Sequence, residues 1–162
     1  MRVAVIPGDG IGPEVIREAV LTLEAARDIF GFELSLTSFD WSADKYLATG
    51  ISMPEGALDM LRNEYDAILT GAFGGPRVKD NKHAADILLG MRFGLDLYIN
   101  LRPIKLIDER FCPLKSRTVD DVDLVVFREN TEGMYTFIGG NFKNGTPDEV
   151  AVQEDINTRK GV

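Results

Sequence analysis

Val3 to Ile6 is a run of four apolar residues closed by Pro7 and Gly8, and it predicts a short buried strand. Beyond it, Val15, Ile16, Ala19, Val20, Leu23, Ala26 and Phe30 recur at helical spacing, while Arg17, Glu18, Glu24 and Asp28 lie largely off that stripe. The spacing predicts a helix over 13–30, with Pro13 in its first turn, Glu14 at the positive end of its dipole and Gly31 as its stop. Residues 32–39 alternate as a strand does, 53–62 read as a helix entered through Pro54 and Glu55, and 66–72 form another apolar strand. A helix over 84–93 and a strand over 97–101 follow. The order β-α-β-α-β-α-β predicts an α/β fold with a partly parallel sheet flanked by helices.

Past Pro103 the pattern changes. A polar stretch leads to a strand over 123–127, then to a segment rich in glycine and asparagine from Ile138 to Pro147, with 150–156 as its return strand. This reads as a hairpin arm near 137–156. The boundary is placed near residue 100: 1–99 is the N-terminal part of a first α/β domain, and 100–162 begins a second. The second part has little core of its own, which predicts a piece of a longer protein or one that depends on a partner. Thr158 is a candidate cap for a helix starting at Arg159.

Composition narrows the function classes. A chain of 162 residues with 44% hydrophobic residues and a net charge of -8 is ordinary for a globular protein, and its sign disfavours nucleic acid and anionic membrane as partners. Residues 91–128 are the exception, with seven basic and six acidic side chains. The single cysteine, Cys112, pairs with nothing inside the chain and points to a reducing, cytoplasmic setting; beside Pro113 it reads as a small filler. One histidine, His83, leaves no Cys/His zinc site. No apolar run approaches the ~20 residues of a membrane span.

The candidate chemistry sits in that basic stretch and just after it. Arg128 ends an apolar strand, and Tyr135 follows seven residues on, across the turn Glu129-Asn130-Thr131-Glu132-Gly133. Arg92 and Arg102 precede them. Three guanidinium groups that converge, with one phenol, suit a small substrate with more than one carboxylate. Each has a plainer reading: Arg92 as a cation at a helix C-terminus, Arg128 as an ion pair to Glu129 or Glu132, Tyr135 as a half-buried aromatic. The loop Gly8-Asp9-Gly10-Ile11-Gly12 joins a strand to a helix as phosphate-binding loops do, yet its spacing is neither that of a dinucleotide fold nor a Walker loop, so a tight structural turn stands beside nucleotide binding. Gly71 to Pro76 leaves a strand end where α/β sheets bind ligands.

Four runs carry a resemblance: 5–15 (Val-Ile-Pro-Gly-Asp-Gly-Ile-Gly-Pro-Glu-Val), Gly71 to Pro76, 96–103 (Asp-Leu-Tyr-Ile-Asn-Leu-Arg-Pro) and 128–135 (Arg-Glu-Asn-Thr-Glu-Gly-Met-Tyr). In this order they resemble the N-terminal part of the β-decarboxylating dehydrogenases, which include isopropylmalate, isocitrate, homoisocitrate and tartrate/D-malate dehydrogenases. The resemblance implies oxidation of a 2-hydroxy acid by NAD, then loss of CO₂ from its β-carboxylate, with Mg²⁺ or Mn²⁺. By matching position Arg92, Arg102 and Arg128 would bind substrate, Tyr135 would be the general acid, and Ile11, Gly74, Gly75 and Pro76 would border the cofactor. The family's catalytic lysine, metal-binding aspartates and adenine loop lie beyond the equivalent of Val162, and in the family the lysine and one aspartate come from the neighbouring subunit. The resemblance therefore implies that this chain alone is inactive, that the full-length protein is a homodimer, and that 1–99 belongs to its cofactor-side domain and 100–162 to its dimerisation domain. NAD against NADP stays open.

The resemblance implies a 2-hydroxy acid with two carboxylates as the substrate. Leu88 and Leu89 before Arg92 resemble the isopropyl-facing leucines of isopropylmalate enzymes, which puts 3-isopropylmalate and leucine biosynthesis first. The Arg-Glu-Asn-Thr-Glu-Gly version of the motif is closer to the isocitrate, homoisocitrate and tartrate branches. A short loop between Pro76 and Arg92 and the ending from Thr158 lean toward tartrate/D-malate, which stands second, with isocitrate and homoisocitrate third. A truncated anion- or partner-binding module is the reading outside enzymes, and a generic dinucleotide binder is disfavoured by the glycine spacing.

Overall fold

The apolar run at the N-terminus becomes the central strand of a parallel sheet. In the computed structural model, which describes all 162 residues, β1 (Arg2–Ile6) lies between β2 (Ser35–Ser38) and β3 (Ala67–Thr70), both parallel to it. Side chains alternate across a strand, so a strand covered on both faces must be apolar throughout. Val3 and Val5 pack with Ile16 of α1 (Gly12–Phe30); Ala4 and Ile6 pack with Trp41, Ala57, Leu61, Ile87 and Met91 on the other face. Burial of a side chain such as Ile6 contributes about 1.5–3 kcal/mol.

Of three further helices, α2 (Ala43–Thr49), α3 (Ala57–Glu64) and α4 (Lys82–Gly94), the last two cover the second face and α2 packs against α4. The sequence reading left α2 without an element. Its seven residues are too short for a periodic stripe, yet its ends were marked: the Ser42 hydroxyl accepts the Lys45 N–H at 3.3 Å, and Gly50 closes the helix at φ 73°.

Glycine settles how the loops after β1 and β3 meet. A Cβ on Gly71 would stand 2.0 Å from the Pro7 carbonyl oxygen, one on Gly12 2.2 Å from the same atom, and one on Gly8 2.1 Å from the Ala72 carbonyl oxygen. The two loops therefore press backbone against backbone, joined by Asp9 N–H to Ala72 O at 2.7 Å and Gly71 N–H to Ile6 O at 2.9 Å. This is the packing reason for the glycine spacing of the opening motif. Gly71→Ala is expected to destabilise the protein by about 3 kcal/mol, since the obstacle is backbone and cannot rotate aside; chemical denaturation of the variant against wild type measures it, and an unchanged midpoint counts against this packing.

The chain divides into two compact units, Met1–Leu95 and Asp96–Val162. The strand expected over 97–101 does not extend the parallel sheet. It forms β4 (Ile99–Lys105) in the second unit, antiparallel to β5 (Asp123–Glu129). It also runs through Pro103. Leu106 N–H bonds to Val122 O, and hydrogen-bonded pairs alternate along an antiparallel ladder, so Pro103 opposite Val125 falls at a position that needs no N–H. A hairpin of β6 (Gly139–Phe142) and β7 (Val150–Gln153) follows, shorter on its return than expected, with a separate bridge between Gly133 and Ile156.

The two units differ in burial. Every buried hydrophobic side chain, from Val3 to Met91, lies in the first. In the second only Asn130 is buried, while Leu101, Phe127 and Phe142 are 56%, 73% and 66% exposed. Two-stranded ribbons are marginal by themselves, so these apolar faces need cover to be stable.

Candidate active site

The ladder between β4 and β5 sets the candidate site of the second unit. Asn100 lies opposite Arg128 and Arg102 opposite Val126, so Asn100, Arg102 and Arg128 share one face. Exposed Arg102 donates from Nε to Asn100 Oδ1 at 3.0 Å; Asn100 donates to Asn130 Oδ1 at 3.2 Å, and buried Asn130 donates to the Leu97 carbonyl at 3.2 Å. The chain of amides holds the Arg102 guanidinium against the sheet. Half-buried Arg128 donates from Nη2 to the Tyr135 hydroxyl, and its guanidinium carbon stands 5.2 Å from the centre of the Tyr135 ring. The pair opens on a cavity of about 740 Å³ lined also by Glu132, Met134 and Phe137.

The turn between Arg128 and Tyr135 explains its own sequence. Glu129 accepts from the Thr131 N–H and hydroxyl and from the Glu132 N–H, each at 2.7 Å. Burial pushes the Glu129 carboxyl up, but these donors outweigh it and hold it below its usual 4.5. Glu132 accepts the Thr158 N–H at 2.7 Å and the Thr158 hydroxyl, which ties Thr158 to this turn. The Thr158 hydroxyl oxygen in turn accepts the Lys160 and Gly161 N–H at 3.2 and 3.4 Å, and its carbonyl accepts the Val162 N–H at 3.2 Å, as a helix cap does. Gly133 takes φ 67° and donates to Ile156 O at 2.8 Å. Both glutamates are thus engaged with backbone, and the cation that might have paired with them reaches Tyr135 instead.

A separate cluster lies in the first unit. Exposed Ile11 caps α1, and Gly74, at φ 114°, leads into Gly75 and Pro76. Asp9 ties this loop down. One carboxylate oxygen accepts the Ala43 N–H at 2.6 Å, and the other accepts the Gly74 N–H at 3.0 Å and meets His83 Nε2 at 2.6 Å. Burial pushes the Asp9 carboxyl up, yet the two backbone donors and then His83 more than offset it, leaving it below its usual 3.8. Sequence reasoning passed over Asp9 and His83. A signal existed for the histidine: His83, Ile87 and Met91 share the buried face of α4, and a polar group on an apolar stripe needs a partner. Half-buried Arg92 stands in the last turn of the same helix. Leu88 packs against the core, which gives it a structural role and leaves Leu89 as the better candidate to meet a ligand.

The model of the isocitrate/isopropylmalate dehydrogenase family matches residues 2–162. The chain belongs to that family. It is 42% identical to the 3-isopropylmalate dehydrogenase of Thermobifida fusca (strain YX), covering all of this chain and 46% of the relative. It is 43% identical to the decarboxylating D-malate dehydrogenase of Escherichia coli (strain K12), covering all of this chain and 45% of the relative. Among solved structures it is similar to the apo form of a β-decarboxylating dehydrogenase from Thermococcus kodakarensis, with a TM-score of 0.64, 34% identity, and coverage of 99% of this chain and 41% of that one. The chain spans under half the length of the curated relatives it matches. Within this dehydrogenase-family segment no group of three His, Cys, Asp or Glu side chains lies together to hold a metal ion, and no helix is long and apolar enough to cross a membrane.

Proposed function

We propose that the full-length protein carrying this segment is an NAD-dependent oxidative decarboxylase of a 2-hydroxy acid with two carboxylates. The observation that carries this reading is the Arg128–Tyr135 pair beside Arg102. A guanidinium fork matches a carboxylate, and the same cation offsets negative charge developing on the phenol oxygen as it yields its proton. Arg102 and Arg128 bind and orient substrate carboxylates, Arg92 is the third candidate cation by its place in the shared motif, and Tyr135 is the general acid that protonates the enol carbon after CO₂ leaves.

The cofactor border is assigned to Ile11, Gly74, Gly75 and Pro76. A Cβ on Gly10 or Gly75 would meet nothing within 4 Å, and Ile11 is 63% exposed, so this rim offers open backbone and an apolar side chain to a nicotinamide nucleotide. When bound, NAD supplies the hydride acceptor. The segment by itself does not fit the Mg²⁺ or Mn²⁺ of the family, whose ligands would lie outside it. Uncovered apolar faces in the second unit support a homodimer in which further chain or a second copy covers them.

Leu89 beside Arg92 favours an alkyl-substituted acid, 3-isopropylmalate, and with it a place in leucine biosynthesis. D-malate and tartrate form the second reading, favoured by the core packing of Leu88; identities of 42% and 43% to relatives of the two kinds do not choose between them. The deciding experiment offers 3-isopropylmalate, D-malate, tartrate and isocitrate in parallel to the full-length protein with NAD and Mg²⁺ or Mn²⁺ and follows NADH. Turnover of none of the four rejects the enzyme reading in favour of an anion- or partner-binding module. In the same assay Arg102→Ala is expected to weaken substrate binding by about 1.5–3 kcal/mol, the scale of a hydrogen bond to a charged group. Unchanged affinity returns Arg102 to a structural role.

A further inference from the structure

We propose that His83 is a positioning residue for the cofactor loop: through Asp9 it holds Gly74 and Gly75 in the shape that borders NAD. This rests on the reading of that loop given above. His83 is fully buried on α4, and its Nε2 meets Asp9 Oδ2 at 2.6 Å, the same oxygen that accepts the Gly74 N–H at 3.0 Å. A carboxylate only accepts, so Nε2 carries the hydrogen. Nδ1 is buried without a hydrogen-bond partner, and Tyr46 of α2 stacks on the ring at 6.0 Å. A buried polar atom left unpaired is costly, so the imidazole is held here for what Nε2 does rather than for its own stability.

The loop is clamped from both sides. Asp9 takes the Gly74 N–H, and Asn81, at the start of α4, takes the Gly75 N–H at 2.8 Å. Both anchors trace to the N-terminal end of α4, the helix that carries Leu89 and Arg92 toward its other end. Removing the His83 donor leaves an Asp9 whose side chain is 8% exposed without one of its three partners. That carboxylate then recruits a proton or water, and its hold on Gly74 loosens.

The test uses the full-length protein with NAD itself as probe. In H83L, amide hydrogen exchange across residues 71–76 is expected to quicken and the Kd for NAD to rise on the order of tenfold, the scale of a small misplacement at a binding loop. The KM for the hydroxy acid stays within about twofold. H83Q, whose amide nitrogen reaches the Nε2 position, restores both readouts. If H83L does not fold, H83N, too short to reach Asp9, gives the same measurements. Unchanged exchange in the variant overturns the clamp, and faster exchange with unchanged NAD affinity overturns its service to the cofactor. Wild type that binds NAD yet oxidises none of the four acids overturns the dehydrogenase reading alone and leaves the His83 result to stand on exchange and affinity.

Discussion

Tyr135→Phe is expected to lower kcat of the full-length protein by about 10²–10⁴-fold, the usual contribution of a positioned general acid, the role proposed for Tyr135. The variant keeps the ring, and with it the stacking of the Arg128 guanidinium 5.2 Å above its centre. It removes only the hydroxyl that Arg128 bonds. Substrate affinity is therefore expected to change little, because the cations proposed to bind the carboxylates remain. The split between a large fall in kcat and a nearly constant KM is the signature of a group that acts in the transition state. Steady-state kinetics on the preferred acid measure it. Unaltered turnover removes Tyr135 from catalysis and makes it a support for Arg128.

Arg128→Ala acts on both sides of that pair. It deletes a half-buried cation that faces the same cavity as Tyr135, and it leaves the Tyr135 hydroxyl without that donor. Two charge-assisted hydrogen bonds at about 1.5–3 kcal/mol each predict a loss of about 3–6 kcal/mol in kcat/KM, over a hundredfold. The loss exceeds that of Arg102→Ala, because Arg102 is exposed and bonded to Asn100. Lysine does not rescue the variant, since a point charge lacks the planar fork that meets carboxylate and phenol together. Kinetics and substrate titration of the alanine and lysine forms check this. Full activity in Arg128→Lys shows that charge alone suffices and that the fork geometry is not used.

Local signals were strong enough for most of the first unit. The run Val3 to Ile6, the stripe of α1 and the stops at Gly31 and Gly71 each have a near-neighbour cause, so pattern alone located them. α2 escaped because seven residues make fewer than two full turns of stripe, although Ser42 and Gly50 bracket it. The strand after α4 was found but assigned to the wrong sheet. Its partner is β5, and pairing across that distance in sequence leaves no local mark.

The candidate site divides in the same way. Arg102, Arg128 and Tyr135 stood out because charge and phenol next to apolar strands are conspicuous, and the motif that holds them resembled a known one. Sequence by itself determined the α/β class and the family, and it singled out the residues proposed to meet a carboxylated substrate, since these depend on composition, periodicity and short motifs. Tertiary structure decided the rest. It brought Asp9 to His83 across 74 positions, turned Glu129 and Glu132 onto backbone and away from Arg128, and pressed Gly71 and Gly12 against the Pro7 carbonyl. These are contacts between groups far apart in the chain or between competing neighbours. Which partner wins depends on where the folded backbone points each donor, and that direction is written in no single stretch of residues.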